Sequence, residues 1–132
     1  MSYKEEFISK INESLNQKIV NNEKRKNTKE LIASYFNDLK NRLNDAINVS
    51  NKELFIDISD NEYAIVFKSE ALFVYYNDSN IKVKSESMGI GHDKDYIFDR
   101  GKNGFIAKDD ETFGEWVLDK TLKETFQKTL KN

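Results

Sequence analysis

The chain has 132 residues, the usual size of one domain, with 21 Lys and Arg against 23 Asp and Glu, a net charge of -2, one histidine, and neither cysteine nor proline. Without cysteine there is no disulfide framework, no thiolate nucleophile and no Cys-based zinc site. Charge is +2 over residues 1–51 (nine basic, seven acidic) and -4 over 52–132 (twelve basic, sixteen acidic), so neither half has the strongly basic balance of a general nucleic-acid binder.

Ser2 and Glu5 have capping-box spacing, and Phe7, Ile8, Ile11, Leu15 and Ile19 follow at three- and four-residue steps as one apolar stripe. The polar run Asn21-Asn22-Glu23-Lys24-Arg25-Lys26 interrupts the pattern, and Asn27 with Glu30 repeats the cap signature. A second stripe then runs through Leu31, Ile32, Tyr35, Phe36, Leu39, Leu43, Ala46 and Ile47. The expectation is an antiparallel pair of helices within residues 1–48, joined at 21–26.

Past residue 51 the period drops from about 3.6 to 2. Leu54, Ile56 and Ile58 alternate with Phe55, Asp57 and Ser59, and Tyr63–Lys68 returns after an Asp60-Asn61 turn. Ala71–Tyr76 is apolar on both faces, as in a strand covered twice. After Asp78-Ser79-Asn80, Ile81, Val83 and Ser85 alternate with Lys82, Lys84 and Glu86. A Gly-bearing loop is expected over Met88–Asp95, then strands Tyr96–Asp99 and Phe105–Lys108 around a hairpin turn at Arg100–Gly104. Thr112 and Glu115 predict the start of a last helix over 112–131, carrying Phe113, Trp116, Val117, Leu118, Leu122, Phe126 and Leu130. The expected fold is a single α+β domain over 1–132, a two-layer sandwich in which helices cover one face of an antiparallel meander of five or six strands (residues 52–108).

The opening Met-Ser-Tyr-Lys-Glu-Glu is unlike a secretory signal and no window nears the ~18 apolar residues of a membrane span, so a cytoplasmic protein without a membrane partner is expected. Lysines outnumber arginines 18 to 3 and Asn and Ile are frequent, a bias of AT-rich coding; composition and element order together resemble small proteins of AT-rich bacteria and their mobile elements.

Catalytic constellations are missing. His92 stands alone, with Asp93, Asp95 or Asp99 as the only orienting acids for a triad, and no Gly-x-Ser-x-Gly elbow supplies a nucleophile. Gly89-Ile90-Gly91 lacks the third glycine and the following helix of a phosphate-binding turn. The acids Asp93, Asp95, Asp99, Asp109, Asp110 and Glu111 fit no ligand-loop spacing and suit solvated turns, so no metal or cofactor is expected. Lys24-Arg25-Lys26 has no interleaved aromatics, and nucleic acid is not expected there.

The sheet is the more informative surface. Phe55, Phe73 and Tyr75 fall on the face away from the helices in one register, as anchors for a protein partner or for self-association; in the other arrangement the last helix, with Trp116, covers that face. The reading that follows is a non-enzymatic interaction protein of immunity, inhibitor, chaperone-like or anti-defence type. One alternative is a small-ligand or nucleotide-sequestering protein using His92, Asp93, Asp95, Arg100 and Lys102. A further alternative is a hydrolase built on His92.

Overall fold

A computed structural model describes residues 2–130. From Tyr3 to Arg42 the backbone is one unbroken α-helix, α1. The Ser2 hydroxyl caps it, accepting from the Glu5 amide at 3.4 Å. The break expected at 21–26 does not occur, so the antiparallel pair is corrected to one long helix followed by a short one, α2 (Asn44–Val49). Residues 21–26 contain neither Gly nor Pro to stop a helix, and their polar groups are used against the body. Asn21 and Thr28 are buried. Arg25 Nε donates to the Asp78 carbonyl at 2.8 Å, and the guanidinium lies 4.1 Å from the centre of the Phe98 ring. The Tyr76 hydroxyl donates to the Arg25 carbonyl at 3.1 Å; burial, with Asp78 beside it, pushes its pKa up to about 12, so it remains a donor at neutral pH.

Six strands follow: β1 (Leu54–Ser59), β2 (Glu62–Phe67), β3 (Glu70–Tyr76), β4 (Asn80–Ser87), β5 (Ile90–Asp99) and β6 (Gly104–Ile106). They pair antiparallel in sequence order, which is the expected meander. The loop expected over Met88–Asp95 is corrected to a two-residue turn, Met88-Gly89, with φ of 55° and 78°. Positive φ at both positions matches the right-handed twist of the flanking strands. Strand β5 therefore begins at Ile90, and its polar start, Gly91-His92-Asp93-Lys94-Asp95, carries no alternation that could have marked it.

The last helix, α3, spans Glu115–Phe126 rather than 112–131; residues 131 and 132 lie outside those described. Thr112 does not cap it. Thr112 bridges to Ile106 and the Phe113 amide donates to the Phe105 carbonyl at 2.8 Å, so the chain prolongs the sheet before it turns at Gly114.

Ile32 and Phe36 of α1 and Val117, Leu118 and Phe126 of α3 join one core cluster with the strand residues of a single sheet face: Leu54, Ile56, Tyr63, Ile65, Leu72, Val74, Ile81, Val83, Tyr96 and Phe105. The Tyr35 hydroxyl ties the two helices, donating to Asp119 Oδ1 at 2.7 Å. Both helices thus lie on the same side of an open α+β sheet. The double covering expected for β3 is corrected accordingly: its Leu72, Val74 and Tyr76 are buried while Phe73 and Tyr75 are half-buried. No helix among the described residues is long and apolar enough to cross a membrane.

Candidate protein-binding face

On the helix-free side of the sheet, strand register sets the side chains in rows. Phe55 pairs with Val66, Val66 with Ala71 and Ala71 with Glu86. In the next row Asp57 pairs with Ala64, Ala64 with Phe73 and Phe73 with Lys84, and beyond it Tyr75 lies between Glu62 and Lys82. Phe73 and Tyr75, two residues apart on one strand, point the same way. Their rings stack with centroids 6.3 Å apart and planes at 14°. Phe55 is 47% exposed and Ile97, toward the other edge, 52%. Lysines and acids border the aromatics: Lys82 is level with Asp95 and Lys84 with Asp93, and Asn80 Nδ2 donates to Asp95 Oδ1 at 3.0 Å. Trp116 does not reach this face; it stands 52% exposed on α3. An aromatic centre with a charged rim is the composition of a protein-binding patch.

The five residues read as ligand-binding do not converge. His92 is exposed on the helix side of β5, opposite Ser85, at a polar cleft of about 190 Å³ that Asp93 also borders. Asp95 belongs to the open face. Arg100 and Lys102 lie in the turn between β5 and β6. Eight residues of extended strand, roughly 26 Å, separate His92 from Arg100. Three of the charged groups that line the cleft, Lys94, Glu111 and Lys120, are engaged in one network with Asp109 beside it. Lys94 Nζ lies 2.8 Å from Asp109 Oδ2 and 3.1 Å from Glu111 Oε2, Lys120 Nζ lies 3.9 Å from Glu111, and the Tyr96 hydroxyl donates to Glu111. This network pins the segment before α3 to the sheet. Among the described residues, no three His, Asp or Glu side chains come together to hold a metal ion.

Burial pushes the Glu111 carboxyl up, but the Tyr96 hydroxyl, Lys94 and Lys120 together outweigh it, and the net direction is down from the usual 4.5. A lowered folded-state pKa means that the carboxylate stabilises the fold above the unfolded value and that this support is lost as pH falls through the folded one. Melting temperature is therefore expected to drop below about pH 4.5, and the Glu111→Gln variant to show a flatter profile in thermal melts from pH 7 to pH 3. At pH 7, Glu111→Ala leaves the buried Tyr96 hydroxyl without its acceptor, a loss of about 1–3 kcal/mol in urea denaturation.

Two further surfaces escaped the sequence reading. The first half of α1, read as a packed helix, is not packed: Tyr3, Phe7, Ile8, Ile11, Leu15 and Ile19 are all between 43% and 75% exposed. An apolar groove of about 630 Å³ lies between the end of α1, β1, β2 and α3, lined by Leu39, Leu43, Leu54, Phe67, Leu122 and Phe126 among others. Both are built from residues with ordinary core periodicity, and a stripe of that kind carries no mark of whether anything covers it. Comparison with protein families, with curated proteins and with solved structures finds no match to this chain.

Proposed function

We propose that this chain is a non-enzymatic interaction protein that acts by covering a protein partner's surface, as immunity, inhibitor, chaperone-like or anti-defence proteins do. The observation that carries this reading is the placement of α1 and α3 on one side of the sheet, which leaves the opposite face, with exposed Phe55 and half-buried Phe73 and Tyr75, uncovered by either helix. Stacked aromatics with two side-chain torsions each are ordered before binding, and little entropy is lost when they dock. Large apolar groups held in water on a monomer are an unspent source of binding free energy. The reading places the protein's work in the cytoplasm, where a chain without cysteine suits the reducing conditions.

The test is a photo-crosslinking amino acid at position 73, expressed in the native cell. A single, identifiable protein adduct is expected, and its loss when Tyr75 is changed to Asp. Once that partner is purified, Phe73→Ala is expected to weaken the complex on the order of 30-fold, as for a central hot spot. A probe at 73 that gives no adduct, while one at exposed Trp116 does, would move the interface elsewhere.

A second reading, binding of a small molecule, is favoured by the apolar groove, whose volume of about 630 Å³ lies within the usual range for ligand sites. The polar cleft at His92, about 190 Å³, is below that range. This reading expects an apolar ligand, and a rise in melting temperature with a panel of medium-chain acids and alcohols; no rise at saturating concentration would remove it.

A further inference from the structure

We infer that the partner of the helix-free sheet face presents a basic surface, with an arginine docked against the Phe73 and Tyr75 rings beside Asp57 and Glu62. The inference rests on the reading that this face binds a protein, and it names the chemistry of what binds there.

Strand alternation assigns the charges. Ile56, Tyr63, Ile81 and Tyr96 are buried on the helix side, so residues an odd number of positions from them along the same strand point the other way. The strands thereby place Asp57, Glu62, Glu86, Asp93, Asp95 and Asp99 on the open face, with Lys82 and Lys84 as its basic residues. Six acids and two lysines give this face a formal charge of -4, while the whole chain carries -2, so everything else sums to +2. Charge is thus polarised across the sheet. A face of that sign repels nucleic acid, anionic headgroups and a second copy of itself, and it draws in a basic surface.

The two lysines are answered within the sheet. Lys84 Nζ lies 3.5 Å from Glu86 Oε1, and Lys82 and Lys84 are level with Asp95 and Asp93 on β5. On the other side of the aromatics, Asp57 and Glu62 are exposed and make no ion pair among the described residues. Glu62 is level with Tyr75, and only Ala64 stands between Asp57 and Phe73 in their row. Asp57 and Glu62 are diagonal neighbours across β1 and β2, with Cβ atoms roughly 7 Å apart. Carboxylates beside an aromatic plane suit a guanidinium better than an ammonium, because its planar fork bonds the oxygens while its face lies on a ring. The chain uses that combination internally, where the Arg25 guanidinium lies 4.1 Å from the centre of the Phe98 ring and Nε donates to the Asp78 carbonyl.

The test is titration of the full, isotope-labelled chain with a peptide of alternating arginine and glycine, about ten residues long so that it can cross six strands when extended. Lysine and glutamate versions run alongside, and amide shifts are followed by NMR. Shifts are expected to centre on Asp57, Glu62 and Tyr75, with the arginine peptide binding about threefold tighter than the lysine one and the glutamate peptide not binding. Raising salt from about 50 to about 300 mM is expected to weaken binding on the order of tenfold. Asp57→Lys combined with Glu62→Lys is expected to raise the dissociation constant at least tenfold with the melting temperature unchanged, since both side chains are exposed. Tyr75→Ala is expected to abolish the preference for arginine over lysine. Shifts centred on helix-side acids such as Asp119 or Glu124, a double variant that binds as the parent does, or a dimer abolished by Tyr75→Asp in sedimentation would each overturn the inference. The crosslink at position 73 separates it from the reading beneath it. An adduct on a neutral or acidic partner surface sinks the basic partner and leaves protein binding in place, whereas no adduct at 73 removes both.

Discussion

Replacing Lys26 with proline is expected to destabilise the fold by about 3 kcal/mol, although the side chain removed is exposed and packs against nothing. Lys26 lies inside α1, sixteen residues before its end at Arg42. Proline there deletes the hydrogen bond from residue 26 to the Asn22 carbonyl, and its ring clashes with that same turn. The kink falls where the helix is held to the body: Arg25 is one residue away, with its contacts to Asp78 and Phe98, and Thr28, buried and donating to the Lys24 carbonyl at 2.7 Å, is two residues on. A connecting loop at 21–26 would accept the same proline within about 0.5 kcal/mol, because surface loops lose little by it. The measurement is the urea midpoint with an unchanged m-value, together with the helical signal in far-UV circular dichroism. A variant as stable and as helical as the parent would restore two separate helices.

The second large effect is expected from Phe36→Ala. Phe36 is fully buried, its ring 5.5 Å from that of Tyr63 and 5.9 Å from that of Tyr35, and it joins α1 to β2 at the centre of the core. Truncation removes the transfer free energy of the ring and leaves a cavity that packed strands cannot close, for a loss of about 3–5 kcal/mol. In a chain of this length that corresponds to a fall of roughly 10–20 °C in melting temperature. Phe7→Ala, on the same helix, provides the contrast. Its ring has no body to leave, and in dilute solution the change is expected to stay within about 0.5 kcal/mol. Equal losses at the two positions would mean that the first half of α1 packs against the sheet.

The contrast between Phe7 and Phe36 also marks the limit of periodicity as evidence. Both stripes in α1 have the same spacing, and one is core while the other stands in water. Spacing records that a helix has an apolar face; burial depends on what the rest of the chain places against it. The candidate binding face was legible for the same reason in reverse. Phe55, Phe73 and Tyr75 share a face through the two-residue period of strands, and the register agrees, but whether α3 lay over them was not written in α3, whose apolar residues suit either side of the sheet.

Local rules were sufficient for what is local. The change of period near residue 52, the turn at Asp60-Asn61, the hairpin at Arg100–Gly104 and the Ser2 cap each follow from side-chain chemistry within a few residues, and together they determined an α+β chain with an antiparallel meander. Three features belong to the tertiary structure alone: the continuity of α1 through its polar middle, the strand that begins at Ile90, and the choice of one sheet face by both helices. Each depends on contacts between residues far apart in the chain, such as Arg25 with Asp78, Lys94 with Asp109 and Tyr35 with Asp119. A polar side chain that reads as a solvated loop becomes part of a helix or strand once a distant partner takes up its hydrogen bond, because the free energy lies in the pair and neither residue carries it alone.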